Sequence, residues 1–142
     1  MHRRKSERGT SLIEFVVTFL IIFYLFVGAL DFGFFGYSLI SVQNAARVGA
    51  LYTSSAITHD ADQVGACTDV IQELKSLPNY SSFSNGTCNA APLVVSVAAT
   101  NGPDSEPASQ VTVTYQTLQL IPIPGLPGSL GISSSVLMRV LR

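Results

Sequence analysis

Few side chains in this 142-residue sequence are of types that carry out chemistry, and they do not converge. Of two histidines, His2 lies at the extreme amino end and His59 stands just ahead of Asp60 and Asp62. An imidazole with two carboxylates supplies fewer ligands than a zinc or calcium loop takes, whereas acids ahead of a helix suit its positive amino end, so these acids read as capping charge. No phosphate-binding loop, GxGxxG, GxSxG or CxxC occurs, and the serines fall in loop-like and strand-like stretches. Without a grouped nucleophile, base and oxyanion donor an enzyme is not expected, and no catalytic residue, cofactor or metal is assigned. Two N-x-S/T sequons begin at Asn79 and Asn85. They matter only in a eukaryotic secretory setting, and Asn85-Gly86 is in any case the strongest turn signal of its stretch.

Two residue types remain. The first is a carboxylate, Glu14, the one charged residue between Leu12 and Leu30 in the run GTSLIEFVVTFLIIFYLFVGAL. At about 1.5 Å per residue this run, as a helix, matches the ~30 Å hydrocarbon layer of a bilayer. A charge inside such a helix costs up to about 3 kcal/mol near the centre and less toward the headgroups, so Glu14 is a functional candidate or else reaches water at the interface. The second is the pair Cys67 and Cys88. They form a disulfide if their segment is exported to an oxidising compartment, and otherwise are two inert thiols in a small core. Closing their loop of about 20 residues is worth about 3 kcal/mol in the chain-entropy picture.

Charge gives the direction of export. Arg3, Arg4, Lys5 and Arg8 are half of the eight basic residues and all precede Gly9, whereas 4 basic residues face 8 acidic ones after it. Basic residues beside a first span stay in the cytoplasm, so the amino end is expected inside and the rest outside. No later basic patch interleaves with aromatics, and nucleic acid is not an expected partner. A net charge of −1 with a mean hydropathy of +0.39 fits one small domain attached to membrane lipid.

The elements follow from pattern. Residues 1–9 read as a polar leader ended by Gly9, with Thr10 or Ser11 as N-cap of a long helix over residues 10–57, spanning the membrane at about 12–30. Leu39, Val42, Ala46 and Gly49 or Ala50 form a stripe suited to docking on a head. The spacings Ala29 to Gly33 and Ala45 to Gly49 fit close helix packing, either within the chain or against a neighbour. The head, residues 58–142, is expected to hold a second helix over about 60–77, with Val64, Cys67, Ile71, Leu74 and Leu77 on one face and Pro78 as its stop. Strands are expected at 93–100, 110–120 and 132–141, separated by a long exposed turn at 101–109 and an irregular Pro/Gly crossing at 121–131. The fold class is therefore α+β: a long amino-terminal transmembrane helix packed on a small head with a second helix and a three- to four-stranded antiparallel sheet, pilin-like.

The leader and span resemble a type IV prepilin: a short basic leader ending in Gly9, then TSLIEF, with Glu14 the fifth residue after the break. Glu14-Phe15 looks like the acid-plus-aromatic pair of the Tad (Flp) branch. The run from Asp31-Phe32-Gly33 to Asn44-Ala45-Ala46-Arg47-Val48-Gly49-Ala50 is similar to the helix of TadE-like minor pseudopilins. A last strand ending near Met138-Arg139 is compatible but less diagnostic, and the chain's length suits a minor TadE- or TadF-like subunit. The resemblance implies cleavage by a prepilin peptidase between Gly9 and Thr10, and partners among other pilins and pseudopilins and the inner-membrane assembly platform. It implies residence in a bacterial inner membrane, amino end cytoplasmic and head periplasmic, with entry into a surface pilus and cell adhesion as associated roles. Glu14 and Phe15 then serve subunit assembly, a neighbour's new α-amine at Thr10 satisfying the Glu14 carboxylate.

Two rival readings use the same residues. Val27 and Ala29 suit an ordinary signal peptidase cut after Ala29, releasing a small secreted binding module, although the apolar run is long for such a signal and the helical pattern continues through the cut. An uncleaved bitopic anchor carrying a small adhesion head is the other.

Overall fold

The computed structural model describes residues 7–118 and 129–141, with the backbone alone for 7–9. The basic leader residues before Glu7 and most of the Pro/Gly crossing lie outside these residues. The chain divides into two compact units, residues 1–34 and 35–142.

A single helix, α1 (Glu7–Ser54), contributes to both. It starts earlier than expected: Gly9 sits in its first turn, and neither Thr10 nor Ser11 is the N-cap. One glycine disfavours helix by about 1 kcal/mol, less than a long apolar helix without proline recovers by propagating one more turn.

In the second unit α1 buries Val42, Ala45, Ala46 and Ala50 with Gly49 beside them, and Leu39 packs at the edge of the same cluster. The expected stripe is thus the core-facing one. Its small side chains let the helix axis come close: a Cβ on Gly49 would lie 3.1 Å from Val70 Cγ2 and 3.2 Å from Val111 Cγ1.

Helix α2 (Gln63–Glu73) begins three residues later than expected because Asp62 caps it. Asp62 takes extended backbone angles, and its Oδ1 accepts from the Val64 and Gly65 amides, both at 3.1 Å. The buried face is Ala66, Cys67, Val70 and Ile71. Val64, expected on that face, is 77% exposed, since it lies in the first turn ahead of the packed residues. The helix tightens into a 3-10 turn (Leu74–Ser76), and Leu77 is extended, the conformation that Pro78 imposes on the residue before it. A second 3-10 turn (Tyr80–Ser82) leads to the buried Phe83 and to Gly86, whose φ of +79° marks the Asn85-Gly86 turn.

The sheet is antiparallel with strand order β1-β2-β3-β4: β1 (Asn89–Ala90), β2 (Leu93–Asn101), β3 (Pro107–Gln116) and β4 (Gly131–Arg139). The exposed turn between β2 and β3 is shorter than expected. Asn101 pairs with Pro107, and the hairpin closes over 102–106 with Gly102 N–H donating to Glu106 O at 2.8 Å. Proline is tolerated as a strand's first residue, and its carbonyl here accepts from Val140 N–H at 3.0 Å. Alternation holds along β3: Val111, Val113 and Tyr115 are fully buried while Thr112, Thr114 and Gln116 face outward. Burial of each such apolar side chain is worth about 1.5–3 kcal/mol, so this one strand anchors the core. The opposite face carries hydroxyl and amide pairs: Gln110 and Thr112 each donate to Ser135 Oγ, and the Thr114 and Ser133 hydroxyls bond at 3.2 Å. Val140, expected within the last strand, falls just outside it, and Leu141 N–H donates to Ser54 O, joining the carboxyl end to the end of α1.

Candidate functional site

The amino-terminal unit is built from the apolar half of α1. Apart from Val27, its large apolar side chains from Leu12 to Phe32 are exposed, Phe15 by 70% and Phe32 by 77%. Phe15, Phe19 and Phe23 recur every four residues, so they lie on one face, and their rings stack at centroid distances of 6.4 and 6.3 Å. An uninterrupted apolar surface of this kind is costly in water and favourable in lipid or against other apolar helices. The helix is long and apolar enough to cross a membrane. It supports the reading of a membrane-anchored chain.

Gly9 and Thr10 lie in the first turns of this helix. Glu14 is exposed one turn beyond Thr10 on the same side, since residues four apart are neighbours on a helix. Phe15, next in sequence, points about 100° away and opens the aromatic row. Acid and aromatic therefore present two adjacent faces of one helix. The glycines Gly28, Gly33 and Gly36 have open space where a Cβ would stand.

The head holds a polar cluster that the spacing of chemical residues did not reveal. Tyr52, near the end of α1, donates its hydroxyl to Asp62 Oδ2 at 2.7 Å, and its ring stacks on His59 at 4.9 Å with the planes 8° apart. The Ser55 hydroxyl and His59 Nδ1 are 3.2 Å apart. With its other oxygen capping α2, Asp62 clasps the end of α1 to the start of α2. The Gly65 amide, then the Tyr52 hydroxyl, hold the Asp62 carboxyl below its ordinary range, and the same contact with Asp62 raises Tyr52. Gly65 is required here because a Cβ would overlap the Tyr52 ring. Asp62 was legible as a capping acid. Tyr52 left no sequence signal, because nothing in spacing shows which aromatic meets a cap ten residues away. No group of three or more His, Cys, Asp or Glu able to hold a metal occurs among the described residues.

Cys67 and Cys88 are joined as a disulfide that ties α2 to the segment entering β1. Deeper in the core, Tyr115 donates its hydroxyl to Asn79 Oδ1, and burial raises its ionisation range. Asn79 is thereby committed to the fold, whereas Asn85 is exposed.

Residues 9–51 match the family model described as TadE-like protein. The match covers the apolar half of α1 and continues to Leu51, through the stripe that packs on the head, so the chain is similar to that family over this segment. No curated protein and no solved structure matches the chain.

Proposed function

We propose, from the premise of a TadE-like protein of the Tad pilus system, that this chain is a minor pseudopilin that assembles with sister subunits rather than a catalyst. The observation that carries the reading is the division of labour along α1 within and beyond the matched segment. Its first half offers exposed apolar side chains with one acid, and its second half supplies the core of a small disulfide-linked head. A prepilin peptidase cuts between Gly9 and Thr10 on the cytoplasmic side, and the chain waits in the inner membrane with its head in the periplasm until the assembly platform draws it into or beneath a pilus. The cut leaves an α-amine at Thr10. Glu14, one turn away on the same face, then meets either this amine or that of a neighbouring subunit, replacing a lone charge in an apolar setting by a pair.

The amino terminus tests this. Intact mass and terminal sequencing of the membrane-extracted protein should give a start at Thr10. A start at Leu30 means a secreted head, a start at Met1 an uncleaved anchor, and either ends the pseudopilin reading. Glu14→Gln should insert in the membrane normally but fail to co-purify with sister subunits. Normal assembly of that variant removes the charge-pairing step.

A further inference from the structure

The chain has two Asn-Gly pairs, Asn85-Gly86 and Asn101-Gly102, and the fold treats them oppositely. Asparagine followed by glycine is the pair in which a backbone amide nitrogen most readily reaches the preceding side-chain carbonyl, because no Cβ obstructs the approach. At Asn101 that nitrogen is engaged: Gly102 N–H donates to Glu106 O at 2.8 Å, and Asn101 is itself held in strand pairing with Pro107. At Asn85 both reacting groups are free among the described residues. Asn85 and Gly86 are exposed, the Gly86 N–H makes no hydrogen bond, the Asn85 amide makes none, and beyond the two adjoining residues no atom lies within 4 Å of the position a Gly86 Cβ would take. The nearby cystine fixes the ends of the loop, with Cys67 Sγ 3.5 Å from Gly86 O, and leaves the Asn85 side uncovered.

We propose that Asn85 is a built-in modification site, converting spontaneously in water to aspartate and isoaspartate, while Asn101 is protected by its hairpin. Hydroxide takes the Gly86 amide proton, and the nitrogen attacks Asn85 Cγ. The N–Cγ bond forms, the Cγ–Nδ2 bond breaks, and ammonia leaves with a proton from water, closing a five-membered succinimide. Water then opens the ring. Hydrolysis at Cγ gives aspartate, and hydrolysis at the main-chain carbonyl gives isoaspartate, with one extra carbon in the backbone three residues before Cys88. No oxidant or reductant takes part. The product carries a new carboxylate on the exposed loop beside the disulfide.

The experiment is peptide mapping by mass spectrometry of the full chain in detergent micelles, aged at mildly alkaline pH, with isoaspartate counted by enzymatic methyl labelling. Releasing the Gly102 hydrogen bond before attack slows Asn101 about tenfold relative to Asn85, the rate equivalent of one such bond. In a reduced, denatured chain the two pairs should convert at similar rates, and Asn85→Gln should remove the early product. Three results would each overturn the proposal: equal rates in the folded chain, the same preference for Asn85 after denaturation, or an Asn85 amide that survives intact while Asn101 converts.

Discussion

Adding one methyl group at Gly49 gives the sharpest test of how closely α1 approaches the head. On an open helix face Gly49→Ala would stabilise by about 1 kcal/mol, because alanine is the better helix former. Here the new Cβ stands 3.1 Å from Val70 Cγ2 and 3.2 Å from Val111 Cγ1, a few tenths of an ångström inside comfortable carbon contact. Both neighbours are β-branched, buried and stiff at χ1, so neither swings away cheaply. Overpacking of this kind costs about 1–3 kcal/mol, and subtracting the propensity gain leaves a net loss of up to about 2 kcal/mol. The assay is denaturant unfolding of the detergent-solubilised chain followed by near-ultraviolet circular dichroism of its tyrosines. Repeating the substitution in a Val111→Ala background relieves one of the two contacts, so its cost should fall by at least about 0.5 kcal/mol, the coupling expected of side chains in contact. A Gly49→Ala variant that is more stable than the parent, with no coupling to Val111, would refute the close packing.

Four further outcomes follow from the head. Gly65→Ala should lower the melting temperature despite alanine's better helix propensity, and in a Tyr52→Ala background, where the overlapping ring is gone, the same change should raise it. Tyr115→Phe leaves the buried Asn79 carbonyl oxygen without its donor and should cost about 1–3 kcal/mol in denaturant unfolding. Asp62 contributes stability that is complete above its unfolded carboxylate range and is lost as pH falls through its lower folded value. An acid titration of the melting temperature should therefore show a loss at low pH that is smaller in Asp62→Asn, whose neutral amide still reaches the α2 amides. Tyr52 works in the opposite sense. Its raised range keeps its contribution intact below the ordinary tyrosine value and removes it only at more alkaline pH, a limb absent in Tyr52→Phe.

Periodicity made the architecture legible wherever one face of an element meets the core. The stripe through Val42, Ala46 and Ala50 and the alternation of Val111, Val113 and Tyr115 are read directly, because burial selects residue type at a fixed repeat. Boundaries were less legible, since they depend on single hydrogen bonds. The start of α2 was decided by where Asp62 finds two amides, and the start of β3 by a proline whose missing N–H is not needed at a strand's first position. The start of α1 was less legible for a related reason: Gly9 reads as a helix break, but a long apolar helix carries its hydrogen bonding through one unfavourable residue. In the amino-terminal segment Glu14 stood out as the one charge in an apolar run, whereas Phe15 stood out only through the family resemblance. The clasp of Tyr52 on Asp62 and the anchoring of Tyr115 on Asn79 join residues far apart in sequence, and no local pattern encodes such a meeting.

The Cys67–Cys88 bridge also keeps a record of where the head matured. Both sulfurs follow α1 in the chain and are buried in the finished core, so the bond closes as the head compacts, and it persists only where thiols are oxidised rather than kept reduced. A head retained among cytosolic reductants would carry two thiols in the same positions. On the topology proposed above, the ratio of bridged to open chains in a cell extract counts the copies whose heads have crossed the membrane.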